Sequence, residues 1–107
     1  MVALDRPQIE VVHRAILDTC AHREWTALAL TVQSTHVHVV LSASVAPEAL
    51  LRDLKSWATR ALRGRGDFVD RAVWAKHGST RYLLSERDVI AAVRYVNDVH
   101  HQPSGEL

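Results

Sequence analysis

Residues 26–42 read Thr26-Ala27-Leu28-Ala29-Leu30-Thr31-Val32-Gln33-Ser34-Thr35-His36-Val37-His38-Val39-Val40-Leu41-Ser42. The run is rich in Val, Leu and Thr and shows no helical stripe, which is the composition of strands. Gln33-Ser34-Thr35 is its polar break. The run therefore divides into two strands, residues 26–32 and 36–42, joined by a tight turn. An antiparallel hairpin near the front of the chain is the fixed point for the rest.

Helical patterns flank the hairpin. Upstream, residues 5–23 repeat Val11, Val12, Ala15, Ile16 and Thr19 at helical spacing, with Asp5 as a cap and Pro7 in the first turn. Downstream, Pro47 opens a helix to about residue 63. Its stripe is Leu50, Leu51, Leu54, Trp57, Ala58, Ala61 and Leu62. Arg52, Lys55, Thr59 and Arg63 fall on another face, and Gly64-Arg65-Gly66 ends the helix. Residues 73–76 and 80–84 read as short strands around the turn His77-Gly78-Ser79. Ser85-Glu86-Arg87-Asp88 resembles a capping box. A last helix over residues 86–101 turns Val89, Ile90, Val93 and Val96 inward, and Pro103 stops it. Antiparallel hairpins with segregated helices predict an α+β fold, an antiparallel sheet with helices packed on it. The order is ferredoxin-like if a strand precedes the first helix, a role for which residues 1–4 are very short.

At 107 residues the chain is one domain's length, and 48% apolar residues suffice for one core. Trp25, Trp57 and Trp74 can anchor it. No stretch reaches the roughly 20 apolar residues of a membrane span. The start turns polar too soon for a signal peptide. The single cysteine, Cys20, cannot form an internal disulfide and reads as packing, so a reducing, cytoplasmic setting is expected. The net charge of +1 is uninformative, but its distribution is uneven. Residues 52–81 hold eight Lys/Arg against three acids, a net +5, while the remainder carries −4. That block fits either a phosphate-binding face or an ordinary solvated surface.

His36-Val37-His38 is the sharpest chemical feature. Strand side chains alternate between faces, so the two imidazoles share one face, ~7 Å apart along the strand. Two such rings can converge on one divalent ion, with oxygen donors completing the shell. Two histidines without a ligand at the edge of a core are the competing reading. Polar rings among Val37, Val39, Val40 and Leu41 nevertheless need a reason to be there. Tyr95 lies between the apolar stripe and the polar side of the last helix. A phenol oxygen is a covalent nucleophile when a base or a metal lowers its proton affinity. By itself Tyr95 reads first as a tyrosine packing at the rim, and Tyr82 is its rival. Gln102, nearly two turns on, falls near the Tyr95 side. A tyrosine and a His-x-His pair together suit one reaction: in-line attack on a phosphodiester, giving a phosphotyrosine and a free hydroxyl.

Four stretches in this order resemble the single-tyrosine HUH transposases of the insertion-sequence-200-like kind, which include the REP-associated tyrosine transposases. They are Thr35-His36-Val37-His38-Val39-Val40-Leu41, Lys55-Ser56-Trp57-Ala58-Thr59-Arg60-Ala61-Leu62, Val73-Trp74-Ala75-Lys76-His77-Gly78-Ser79-Thr80-Arg81-Tyr82-Leu83 and Ala91-Ala92-Val93-Arg94-Tyr95-Val96. The resemblance covers most of the chain from about Arg6 onward. It implies a ferredoxin-like fold, a divalent metal (magnesium or manganese) on His36 and His38, and attack by Tyr95 on single-stranded DNA near a hairpin. It also implies a homodimer, often with the tyrosine helix of one subunit completing the other's metal site.

The chain departs from that pattern twice. The family's opening strand is nearly absent, so residues 1–107 are read as a single transposase domain lacking its first strand. A third metal ligand is expected four or five residues after the tyrosine, where Val99 and His100 stand. His100 or Gln102 would substitute, and helix phase favours Gln102. Phosphate contacts are expected from Lys55, Arg60, Arg63, Lys76 and Arg81. Trp74 or Tyr82 would stack on a base or pack at the rim. The expected function is a metal-dependent DNA transposase that nicks and rejoins single strands. Its alternatives are a non-catalytic or host-adopted DNA-hairpin-binding relative and a metal-binding or interaction module without nucleic acid.

Overall fold

The computed structural model of the chain describes residues 1–75, 83 and 85–101. Among them are helix α1 (Arg6–Arg23), strands β1 (Thr26–Val32) and β2 (Val37–Ser42), and helices α2 (Pro47–Gly64) and α3 (Glu86–His101). This is an α+β fold: an antiparallel sheet with helices packed on both faces. No helix among the described residues is long and apolar enough to cross a membrane.

Local chemistry sets the ends of the elements. Asp5 caps α1 by accepting from the Gln8 N–H at 2.9 Å, while the Gln8 side chain accepts from the Asp5 N–H at 2.8 Å. This reciprocal box satisfies donors that the first turn would otherwise orphan. Glu24, left-handed at φ 60°, closes the helix and turns the chain into β1. At α3, Ser85 Oγ accepts from the Asp88 N–H at 3.1 Å, the first half of the box expected there.

In the hairpin, the Gln33 N–H donates to the His36 carbonyl at 2.7 Å around Ser34 and Thr35. That closure fixes the register: Val32 faces Val37, Thr31 faces His38, Leu30 faces Val39 and Ala29 faces Val40. The register slips at Leu28, so that Ala27 faces Leu41. Leu28 is the extra residue of a β-bulge.

Alternation then divides the sheet into two faces. Leu30, Val32, Val37, Val39 and Leu41 turn toward α1 and α2, where Val12, Ile16, Cys20, Leu54, Ala58 and Leu62 form the main core. Ala29 and Val40 turn the other way and meet Val96, Ala92 and Val93 of α3. Thr31 and His38 lie on this second face.

Residues 1–4 are not a strand, yet they occupy the sheet's margin. The Val2 N–H donates to the Val73 carbonyl and the Leu4 N–H to the Ser34 carbonyl, and Leu4 is buried in the main core. Three expectations need correction. Residues 73–75 form no strand; Val73 offers Val2 a single backbone bond and buries its side chain. Ile90 does not face inward, because the sheet takes only the Val93–Val96 side of α3 and leaves Ile90 52% exposed. Trp57 lies at the rim of the α2 stripe, 40% exposed beneath Arg60. The expected strand at residues 80–84 lies outside the described residues apart from Leu83.

Candidate active site

The hairpin and α3 bring together the three residues singled out in the sequence. His36 and His38 project from one face, their rings parallel within 2° and their centroids 6.2 Å apart. Alternation predicts this shared face, and the short turn brings His36 to the point where the strand begins. The Tyr95 ring meets His38 edge-on, at 88° and 6.0 Å between centroids. The Tyr95 ring therefore meets His38 within one chain, on the helix that covers its own sheet. Tyr95 is 60% exposed, and its hydroxyl has no hydrogen-bond partner among the described residues.

Two threonines that sequence reasoning passed over support this cluster. Thr35 Oγ1 lies 2.9 Å from His36 Nδ1. With its hydrogen on Nδ1, the ring donates to that hydroxyl and leaves Nε2 as a free lone pair, the arrangement of a ligating histidine. Thr31 stands opposite His38 in the ladder and donates from Oγ1 to the Val96 carbonyl at 3.0 Å. The signal for Thr31 was present. A two-residue turn at Ser34-Thr35 dictates that register, and Thr31 is the polar residue between Leu30 and Val32.

The electrostatics favour neutral imidazole at His38. Partial burial pushes its pKa below the ordinary histidine value, and the neighbouring His36 adds to the shift. Neutral imidazole is the form that donates to a metal. Two imidazoles on one face, one of them beside a hydroxyl, are a pair of nitrogen donors of the kind that oxygen ligands would complete around a divalent ion. Among the described residues, no three His, Cys, Asp or Glu side chains gather into a metal cluster. Gln102, the expected third donor, lies outside the described residues, as does the side chain of His100.

The expected phosphate contacts separate. Lys55 lines a cavity of about 360 Å³ at the margin of β2, together with Thr35, His36, Trp74 and Met1. Trp74 serves as a strut there: its indole N–H reaches Thr59 Oγ1 at 2.9 Å and the Lys55 carbonyl at 3.2 Å. Arg60 lies elsewhere. It stacks over Trp57 at 4.8 Å and lines a groove between α1 and α2 with His22 and Asp18. Arg63 donates to the Phe68 and Arg71 carbonyls and so ties down the loop after α2. Lys76, Arg81 and the rival Tyr82 lie outside the described residues. Cys20 is buried in the core, and burial pushes its thiol pKa up, as suits a packing residue.

No protein-family model, curated protein or solved structure matches the chain.

Proposed function

We propose that this domain nicks and rejoins single-stranded DNA through a phosphotyrosine intermediate, with hairpin-bearing strands as substrate. The observation that carries the reading is the edge-on contact of Tyr95 with His38, beside a parallel His36. An exposed phenol next to a pair of metal-donor imidazoles is the minimum apparatus for the reaction. The packing of α3 on the sheet is what brings them together.

In the proposed step the Tyr95 oxygen attacks phosphorus in line. The P–O bond to the sugar breaks, and the departing oxygen leaves as a free hydroxyl after taking up a proton. The phenol proton passes to solvent, which the exposure of Tyr95 allows. The new phosphotyrosine keeps the ester, so a strand hydroxyl can reverse the step without a nucleotide cofactor. His36 and His38 would hold magnesium or manganese, whose chemical part is to neutralise charge on the phosphate oxygens. Thr35 orients one donor and Lys55 adds a cation at the neighbouring cavity. The homodimer that the resemblance implies belongs to this proposal and is tested by the mass of the particle in solution.

The direct test mixes the protein with a hairpin-bearing single strand and MnCl2 and resolves the products on a denaturing gel. The expected result is a covalent adduct that disappears in Tyr95→Phe and persists in Tyr82→Phe. Salt-sensitive hairpin binding with no adduct at any divalent metal would replace this reading with the non-catalytic hairpin-binding one.

A further inference from the structure

We propose that Thr31 is the positioning residue of this site: its hydroxyl sets the turn of α3 that carries Tyr95 against the strand that carries His38. Thr31 is 2% exposed, a buried polar side chain inside a strand of Ala, Leu and Val. Its Oγ1 donates at 3.0 Å to the Val96 carbonyl, across 65 residues of sequence. A carbonyl inside a helix already accepts from the N–H four residues on, and its second lone pair is free for such a bond.

Among the described residues, the other packing of α3 on the sheet, beside the Tyr95–His38 ring contact, is apolar: Val96, Val93 and Ala92 on Ala29 and Val40. Apolar contacts are not directional. They hold the helix to the sheet without fixing where it stops. Each residue of slip along a helix turns the side chains by a full 100° and advances them ~1.5 Å, which would carry the Tyr95 ring off His38. One directional bond, made at the residue next to Tyr95 by the cross-strand partner of His38, removes that freedom. The chain thus links the phenol to the imidazole twice, once by ring contact and once through Thr31.

The inference rests on the proposed function only where adduct is the readout, so the experiment has two arms on the full chain. The first is nuclear Overhauser contact between the rings of Tyr95 and His38, which needs no substrate. The second is the rate of adduct formation, read beside MnCl2 affinity and hairpin affinity. Thr31→Val keeps shape and removes the donor, while Thr31→Ser keeps the donor. The expected result for Thr31→Val is loss of the ring contact and an adduct rate reduced about a hundredfold, the scale of a small misplacement of reacting groups. Its metal and hairpin affinities should be unchanged, and Thr31→Ser should restore contact and rate. A ring contact that persists in Thr31→Val overturns the inference. So does a rate loss matched by equal losses of metal and hairpin binding, which marks a merely structural role. If the parent chain forms no adduct, the proposed function fails and the ring contact alone decides Thr31. Should Thr31→Val not fold, Thr31→Cys carries the same comparison with a weaker donor of similar size.

Discussion

His38 is held by opposing demands. Partial burial and the neighbouring His36 keep it neutral, whereas in the unfolded chain neither influence acts and it titrates near ~6.5. The unfolded state therefore binds this proton more tightly. Stability that is fully present above that value is lost as pH falls toward the folded pKa. His38→Gln removes this share, and urea denaturation at a series of pH values should show a flatter acid limb for the variant. Parallel limbs for the two proteins would mean that His38 feels no such environment. Thr35 acts one step further out, by orienting His36 through Nδ1. Thr35→Ala should weaken MnCl2 binding by about tenfold, the usual effect of removing an outer partner of a ligating histidine, as read by calorimetry. Undiminished affinity would detach Thr35 from the site. At this scale the histidine pair was legible, because alternation along a strand needs nothing but the strand. Thr31's place opposite His38 was legible once the turn was set, but the partners of the two hydroxyls were not, because they depend on which helix lies above the strand and on how the turn closes.

Helix ends were the most readable elements, since capping is chemistry within a few residues. Asp5 was expected to cap α1 and does so, with Gln8 completing the box. The Gln8 side chain also reaches Asp67 at 3.1 Å, which ties the start of α1 to the loop after α2. Asp5→Ala should cost about 1 kcal/mol, measured as a lower urea midpoint at unchanged slope. A variant as stable as the parent would show that Gln8 or solvent satisfies the first turn unaided. The inward faces of helices were read less well. Periodicity finds a stripe, but the partner decides how much of it is covered. Ile90 has the right spacing and is exposed, because the buried contact of α3 with the sheet runs through Ala92, Val93 and Val96. The bulge at Leu28 was invisible to pattern reading, since one extra residue does not disturb a run of Ala and Leu.

Across the whole molecule, one hairpin separates two environments. The α1–α2 side holds the main core, and the α3 side holds the histidines and the tyrosine. The basic stretch of residues 52–81 fitted either a phosphate-binding face or an ordinary solvated surface in sequence, because charges along a helix are counted in order, not in direction. Among the described residues the fold distributes them: Lys55 on a cavity that His36 also lines, Arg60 over Trp57 by α1, Arg63 on the loop. For hairpin DNA binding, Lys55→Ala should reduce the log–log salt slope by about 1. Arg60→Ala should leave the slope as it is, both read by fluorescence anisotropy over a salt series. Equal reductions would mean that DNA also runs along the α1–α2 groove.

Met1 lines the same small cavity as His36 and Lys55. Any polypeptide joined ahead of that methionine therefore emerges at the cavity that His36 lines. A purification tag of consecutive histidines placed there would set rival imidazoles beside His36 and compete for any added MnCl2.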